Sequence, residues 1–221
     1  MKKLLCLIFI IFCIFAISGC GIEYNNILNN MSDLRINYFI GKAENFEVTL
    51  SCGYREEIFA YDGVSTNPIE CGVISLAFYE THSYLSLEIL LEVDGEEQSY
   101  ILEKSPFEDV FMVDIEKILT NQNTIYFKLK NQNTKTELKE ISNSWNVDYK
   151  LAIKLASEHF KETINKLYFN NKFNAECYLK PIYKSDFGNI YWYFSIIDTT
   201  GGNHNILIDV KTKEIITTNH T

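Results

Sequence analysis

Arginine is nearly missing from these 221 residues: only Arg35 and Arg55 occur, against 29 acidic residues and a net charge of −9. Phosphate backbones repel such a chain. With no arginine stripe, aromatic RNA-platform motif or zinc-finger spacing, nucleic-acid recognition is excluded as a role. Only three prolines and ten glycines are present, which excludes collagen-like and linker-dominated architectures. No CxxC pair, HExxH, GxSxG or SxxK occurs, so the common redox, zinc-peptidase and serine-nucleophile signatures are missing. Gly201-Gly202 is followed by neither Lys-Ser nor a helix pattern and reads as a turn rather than a phosphate loop. The apolar run of residues 4–17 holds fourteen residues. As a helix it spans about 21 Å, short of the roughly 30 Å hydrocarbon core.

What is present is core material. Hydrophobic residues make up 47% and aromatics 14%, enough for one large domain or two small ones and far from a disordered composition.

Lys2 and Lys3 followed by LLCLIFIIFCIFAI have the charge and length of a signal peptide. The next residues, Ile17-Ser18-Gly19-Cys20, resemble the lipobox of bacterial lipoproteins. That resemblance implies cleavage after residue 19 and a diacylglycerol on the Cys20 sulfur. Two acyl chains anchor stably where one does not. The protein is then expected at the cell membrane, lipid-anchored and facing outside the cytoplasm. Removing residues 1–19 removes two lysines and no acid, which leaves a net charge of −11. Residues 20–33, polar and Asn-rich, read as a tether.

Three further cysteines remain, Cys52, Cys71 and Cys177. An exported protein can form disulfides. Cys52 ends one expected strand and Cys71 begins the next, so a bridge between them is one reading, worth about 3 kcal/mol in the chain-entropy estimate. The other reading is three small buried apolar groups.

Residues 34–141 alternate in short runs broken by turns. LRINYFI, FEVTL, GVISLAFY, YLSLEILLEV, EQSYILE, FMVDI and TIYFKLK read as strands, with Asp94-Gly95 as a hairpin turn. Seven such strands lead us to expect an antiparallel β-sandwich, Ig-like in outline. The polar stretch NQNTKTELKEISNS then marks a boundary.

In residues 145–221, Ala152, Leu155, Ala156, Phe160, Ile164 and Leu167 recur every three or four residues, which predicts a helix over 147–167 capped by Asn146 or Asp148. Strands follow at 175–183, 189–197, 205–210 and 214–218. The helix, the aromatic strand and the closing ILIDVKTKEII resemble the PepSY domain of secreted and membrane-attached bacterial proteins, with Lys213 where glycine is usual. The resemblance covers about a third of the chain. It implies a helix packed on an antiparallel sheet, cystatin-like in outline, and a role in modulating peptidases without catalytic residues. The fold class expected overall is therefore α+β.

Of the remaining candidates, His82, His159, His204 and His220 lack metal-ligand spacing, and Glu56-Glu57, Glu96-Glu97 and Glu108-Asp109 lack that of a calcium loop. The histidines read as structural or solvated groups and the acidic pairs as solvated surface. Cys177 with His159 or His204 would need the fold to assemble it. No catalytic residue, metal or cofactor is assigned. Tyr191 and Tyr193 alternate with Trp192 and Phe194, so they lie on the sheet face away from the helix. Left uncovered they form a partner surface; otherwise they pack against the first domain. The expected function is that of a non-enzymatic, membrane-anchored binding or modulatory protein acting on an envelope protein, peptide or peptidase. The alternatives are an accessory of a surface complex, or a hydrolase with its site dispersed over loops.

Overall fold

Two-residue alternation builds most of this molecule, described over residues 20–106, 108–170, 172–184 and 189–217 by a computed structural model. In β2 (Phe46–Glu56), Phe46, Val48, Leu50 and Cys52 point to one side and are buried, while Glu47, Thr49 and Ser51 lie on the other. The same pattern runs through the core of β3 (Pro68–Phe78) and through β4 (Ser86–Val93), β6 (Phe111–Ile115), β7 (Ile125–Leu129) and β8 (Thr136–Glu140), whereas the first five residues of β1 (Met31–Lys42) are all buried and β5 (Glu96–Lys104) buries Leu102 alone. Asp94 and Gly95 both take positive φ, 53° and 91°, as the tight β4–β5 hairpin requires.

These eight strands pair in the order β1-β2-β3-β6-β5-β4-β7-β8. The last returns to the first through Phe39 opposite Glu140 and Ile40 opposite Lys139. Every pair is antiparallel, so the sheet closes into a barrel. An eight-stranded barrel is narrow enough for its own side chains to fill. Phe39, Phe46, Phe111 and Phe127, with leucines and isoleucines from β2 to β8, fill the interior. The outside carries Glu88, Glu92, Lys128 and Lys130, the reverse of a barrel that faces lipid.

β1 is shared. Its first residues pair in parallel with β11 (Ala175–Lys184), at Met31–Cys177 and Leu34–Leu179; its last residues close the barrel. Irregularities between Met31 and Asp33 and between Arg35 and Asn37 bend it between the two partners. β11 continues into an antiparallel meander with β12 (Asn189–Asp198), β13 (Asn203–Asp209) and β14 (Ile215–Thr217). The two-residue strands β9 (Tyr168–Phe169) and β10 (Lys172–Phe173) form a small separate hairpin.

Three helices cover one face of the meander: α1 (Cys20–Asn29), α2 (Tyr149–His159) and α3 (Lys161–Leu167). Ile27, Ala152, Ile153, Ala156 and Ile164 meet Trp192, Phe194, Ile196, Ile206 and Ile208 in a second core. Trp192 donates its indole N–H to the Val147 carbonyl at 2.8 Å, which satisfies the one polar atom of that side chain.

The fold class differs from the expectation. The chain is mainly β: a closed eight-stranded barrel whose sheet runs on into four more strands, rather than an Ig-like sandwich followed by a helix-on-sheet domain. Sandwich and barrel strands share the same alternation, and closure depends on β8. That strand lies within the polar stretch read as a boundary. Only Thr136 and Leu138 of it turn inward, too little apolar signal to announce a strand. The tether is likewise corrected. Residues 20–29 are helical, with Ile27 fully buried and Tyr24 packed beside it, and β1 starts at Met31. Asn25, Asn26 and Asn29 dilute that apolar pair in the sequence. The single helix expected over 147–167 breaks at Phe160, whose ring stacks on Phe194 with centroids 6.0 Å apart.

Candidate binding cleft

The meander has a second face, turned away from the helices. Register sets its rows: Ile182 opposite Tyr191, Lys180 opposite Tyr193, Tyr178 opposite Ser195 and Glu176 opposite Ile197. β13 extends them with Asp209, Leu207, Asn205 and Asn203. This face is the floor of a cleft of about 550 Å³ lined by Tyr61, Tyr178, Lys180, Tyr193, Ser195 and Asn203, among others.

Its wall is a strap, residues 57–67, joining β2 to β3. The Glu57 N–H donates to the Asn67 carbonyl at 3.1 Å and closes the strap's base, as in an Ω-loop. Phe59 and Tyr61 reach from the strap onto Tyr178: Tyr61 stacks on its ring at 5.0 Å, and Phe59 meets it edge-on at 5.9 Å. On the strap's other side Asn26, Asn30, Val64, Tyr168, Asn174 and Thr199 line a second, more polar cleft of about 560 Å³. The strap is thus a bar between two clefts.

Beneath it lies a buried polar cluster. Glu56, 1% exposed, accepts from the Ala60 N–H at 3.1 Å and from the Thr66 N–H at 3.2 Å. Glu176, 0% exposed, accepts from Ser32 Oγ at 3.2 Å, from the Tyr178 hydroxyl and from the Gly63 N–H. Burial pushes the Glu176 carboxyl above its ordinary pKa, and the charge of Glu56 adds to that. The bonds from Tyr178, Gly63 and Ser32 pull the other way. Burial and the neighbouring Glu176 push the Tyr178 phenol far up. Beside them Arg35 Nε lies 2.7 Å from Asp33 Oδ1 in a buried ion pair.

Chemically the floor offers aromatic faces, amides and a cation. Tyr193 donates to Asn205 Oδ1 and Ser195 to Asn203 Oδ1, each at 2.8 Å. Lys180 Nζ stands 5.8 Å from the Tyr193 ring centroid, and among the described residues no carboxylate pairs with it. Such a surface suits a ligand with a flat apolar part and an anionic or hydrogen-bonding part.

The residues singled out from sequence fare unevenly. Tyr193 lines the cleft, but Tyr191 is only 3% exposed and takes no part in an open surface. Cys52 and Cys71 are buried free thiols. In the β2–β3 register Cys52 faces Gly72 and Cys71 faces Gly53, so the two sulfurs point to opposite sides of the sheet and no bridge joins them. Burial pushes the Cys52 thiol up to about 11. Cys177 is fully buried in the helix-side core. Cys20 is the first residue of α1; the signal peptide 1–19, with lipobox residues Ile17, Ser18 and Gly19, lies outside the described residues, as does His220. His82 stacks on Tyr84 at the barrel end, and His159 and His204 border Phe160. Glu56 is buried rather than solvated, whereas Glu97 and Asp109 join surface pairs with Lys135 and Lys104.

Sequence reasoning missed Glu176, Tyr178, Lys180 and Tyr61. The alternation of AECYLKPIY does place Glu176, Tyr178, Lys180 and Ile182 on one side of a strand, but nothing local says which side the strap covers. Comparison with known proteins returns no match: no family model, no curated protein and no solved structure is similar to the chain.

Proposed function

We propose that this chain is a lipid-anchored protein of the cell envelope, held outside the cytoplasm through a diacylglycerol on Cys20. Its role is to bind a peptide or a segment of another envelope protein in the cleft over β11–β13. A non-enzymatic, modulatory role is the reading, and a peptidase is the partner type that the PepSY resemblance implies. The observation that carries the binding role is the cleft floor: Tyr178, Lys180, Tyr193 and Asn203 present aromatic, cationic and amide groups side by side under an aromatic strap. Aromatic residues clustered in one partly desolvated place are what peptide and protein partners use as anchors.

The test has two arms. A photo-crosslinking residue at position 61, introduced in cells, is expected to trap a defined partner. Lys180→Ala combined with Tyr193→Ala is expected to abolish the adduct while leaving the fold intact by circular dichroism. An adduct of equal yield in the double variant removes the cleft from the proposal. For the anchor, Cys20→Ala is expected to leave the membrane fraction, and the wild-type amino-terminal peptide to carry the acyl mass.

A further inference from the structure

The contacts of Tyr178 do not balance with a single proton. Its hydroxyl is within hydrogen-bonding distance of Glu176 Oε1 and lies 3.3 Å from the Ala60 carbonyl oxygen on the strap. A phenol has one hydrogen to donate. If Glu176 is a carboxylate, both neighbours are acceptors and one goes without. If Glu176 is a neutral acid, its O–H donates to Tyr178 Oη, and the tyrosine passes its own hydrogen to Ala60. Every group is then satisfied, and the sheet floor is bonded to the strap.

We propose that the 57–67 strap is a proton-controlled gate on the cleft, latched through Tyr178 to Ala60 while Glu176 is neutral and released when Glu176 ionises. The inference rests on the binding role of the cleft, since it concerns the regulation of that same site.

The surroundings favour the neutral form. Glu176 is wholly buried, and among the described residues no Lys, Arg or His pairs with it. The groups that face it are Ser32 from β1, with the Asp33–Arg35 pair near the same strap residue Tyr61; Glu56 from β2; Tyr178 from its own strand; and Tyr61 and the Gly63 N–H from the strap. β12 contributes Ile197 directly opposite. Ionising Glu176 sets a second carboxylate beside Glu56 under a loop that excludes water. Lifting the strap hydrates both. Because the closed state holds the Glu176 carboxyl above its ordinary pKa, the closed state binds the proton more tightly than the open one. Closure is therefore fully favoured below the ordinary carboxyl pKa and loses ground as pH rises through the raised value. Opening merges the two clefts that the strap divides into one trough, long enough for an extended segment.

Hydrogen exchange by mass spectrometry on the full-length protein in detergent tests this without any ligand. Between pH 5 and 7.5, after correction for intrinsic exchange, protection of the Ala60, Gly63 and Thr66 amides is expected to fall by about threefold or more, within the roughly tenfold per pH unit that one proton permits. Amides of β2 and β7 serve as the folding control and are expected to hold steady. Tyr178→Phe removes the latch and is expected to expose the strap at both pH values. Glu176→Gln, whose amide can still donate to Tyr178, is expected to keep it protected at both. Strap protection that is independent of pH in the wild type, or a wild-type pH response surviving in Tyr178→Phe, overturns the gate. Crosslinking at residue 61 is a separate readout, so the binding reading and the gate can fail independently.

Discussion

Gly53 shows how much one side chain can be forbidden. A Cβ built there lies 1.9 Å from the Leu34 carbonyl oxygen and 2.9 Å from the Arg35 Cα, both backbone atoms of β1. The site adjoins the β1 irregularity, where β1 begins to turn from β11 toward the barrel. A flexible side chain could swing aside; a backbone carbonyl in a sheet cannot. Gly53→Ala is expected to lower stability by about 3 kcal/mol, at the upper end of overpacking costs. Urea denaturation of the two proteins measures it, and equal midpoints would contradict the close approach. At the same scale the Cys52–Cys71 bridge fails on parity. Adjacent positions on a strand face opposite ways, so a register sum that is off by one separates the two sulfurs across the sheet however near their backbones come.

Elements depend on local signals, and these were mostly readable. Asp148 caps α2, its carboxylate accepting from the Leu151 N–H at 2.8 Å. Asp148→Ala is expected to cost about 1 kcal/mol, measured by thermal unfolding at constant pH; no loss would mean that water replaces the cap. The strands of the barrel and meander follow from alternation, and Asp94-Gly95 marks its hairpin through dihedral preference alone. The strap is an element of another kind. It has no ladder of its own, and Glu56 and Glu176, far apart in sequence, hold its backbone N–H groups. Nothing in AYDGVSTN announces those partners. α1 failed to show for a related reason: a ten-residue helix with Tyr24 and Ile27 among asparagines gains its stability from packing rather than propensity.

At the scale of the whole molecule, β1 ties the two cores together. It hydrogen-bonds to β2 and β8 in the barrel and to β11 in the meander, so loss of either core frees an edge of the other. Both tryptophans, Trp145 and Trp192, lie on the helix-covered side. A barrel substitution far from them is still expected to move their signal. Phe127→Ala, at 0% exposure inside the barrel, is expected to cost about 3–5 kcal/mol. For a chain of this size that lowers the midpoint by roughly 10 °C. Tryptophan fluorescence and calorimetry are expected to report the same lowered midpoint. A tryptophan transition left where it was would show that the two cores melt independently.

Residue order alone settles much here. The acidic balance carries the expectation of a partner other than nucleic acid, the apolar run and Cys20 carry that of a lipid anchor, and alternation places strands and their inward faces. These are properties of neighbours a few positions apart, and each is decided by short-range sterics or by transfer of side chains out of water. Pairing of β8 with β1, about 100 positions apart, closes a barrel where an open sandwich had been expected. The strap's descent onto Glu176 joins residues 60 and 178 into one proton-sharing contact. Those outcomes depend on long loop closures whose entropy is repaid only when the complete sheet forms, and no local pattern reports on that balance.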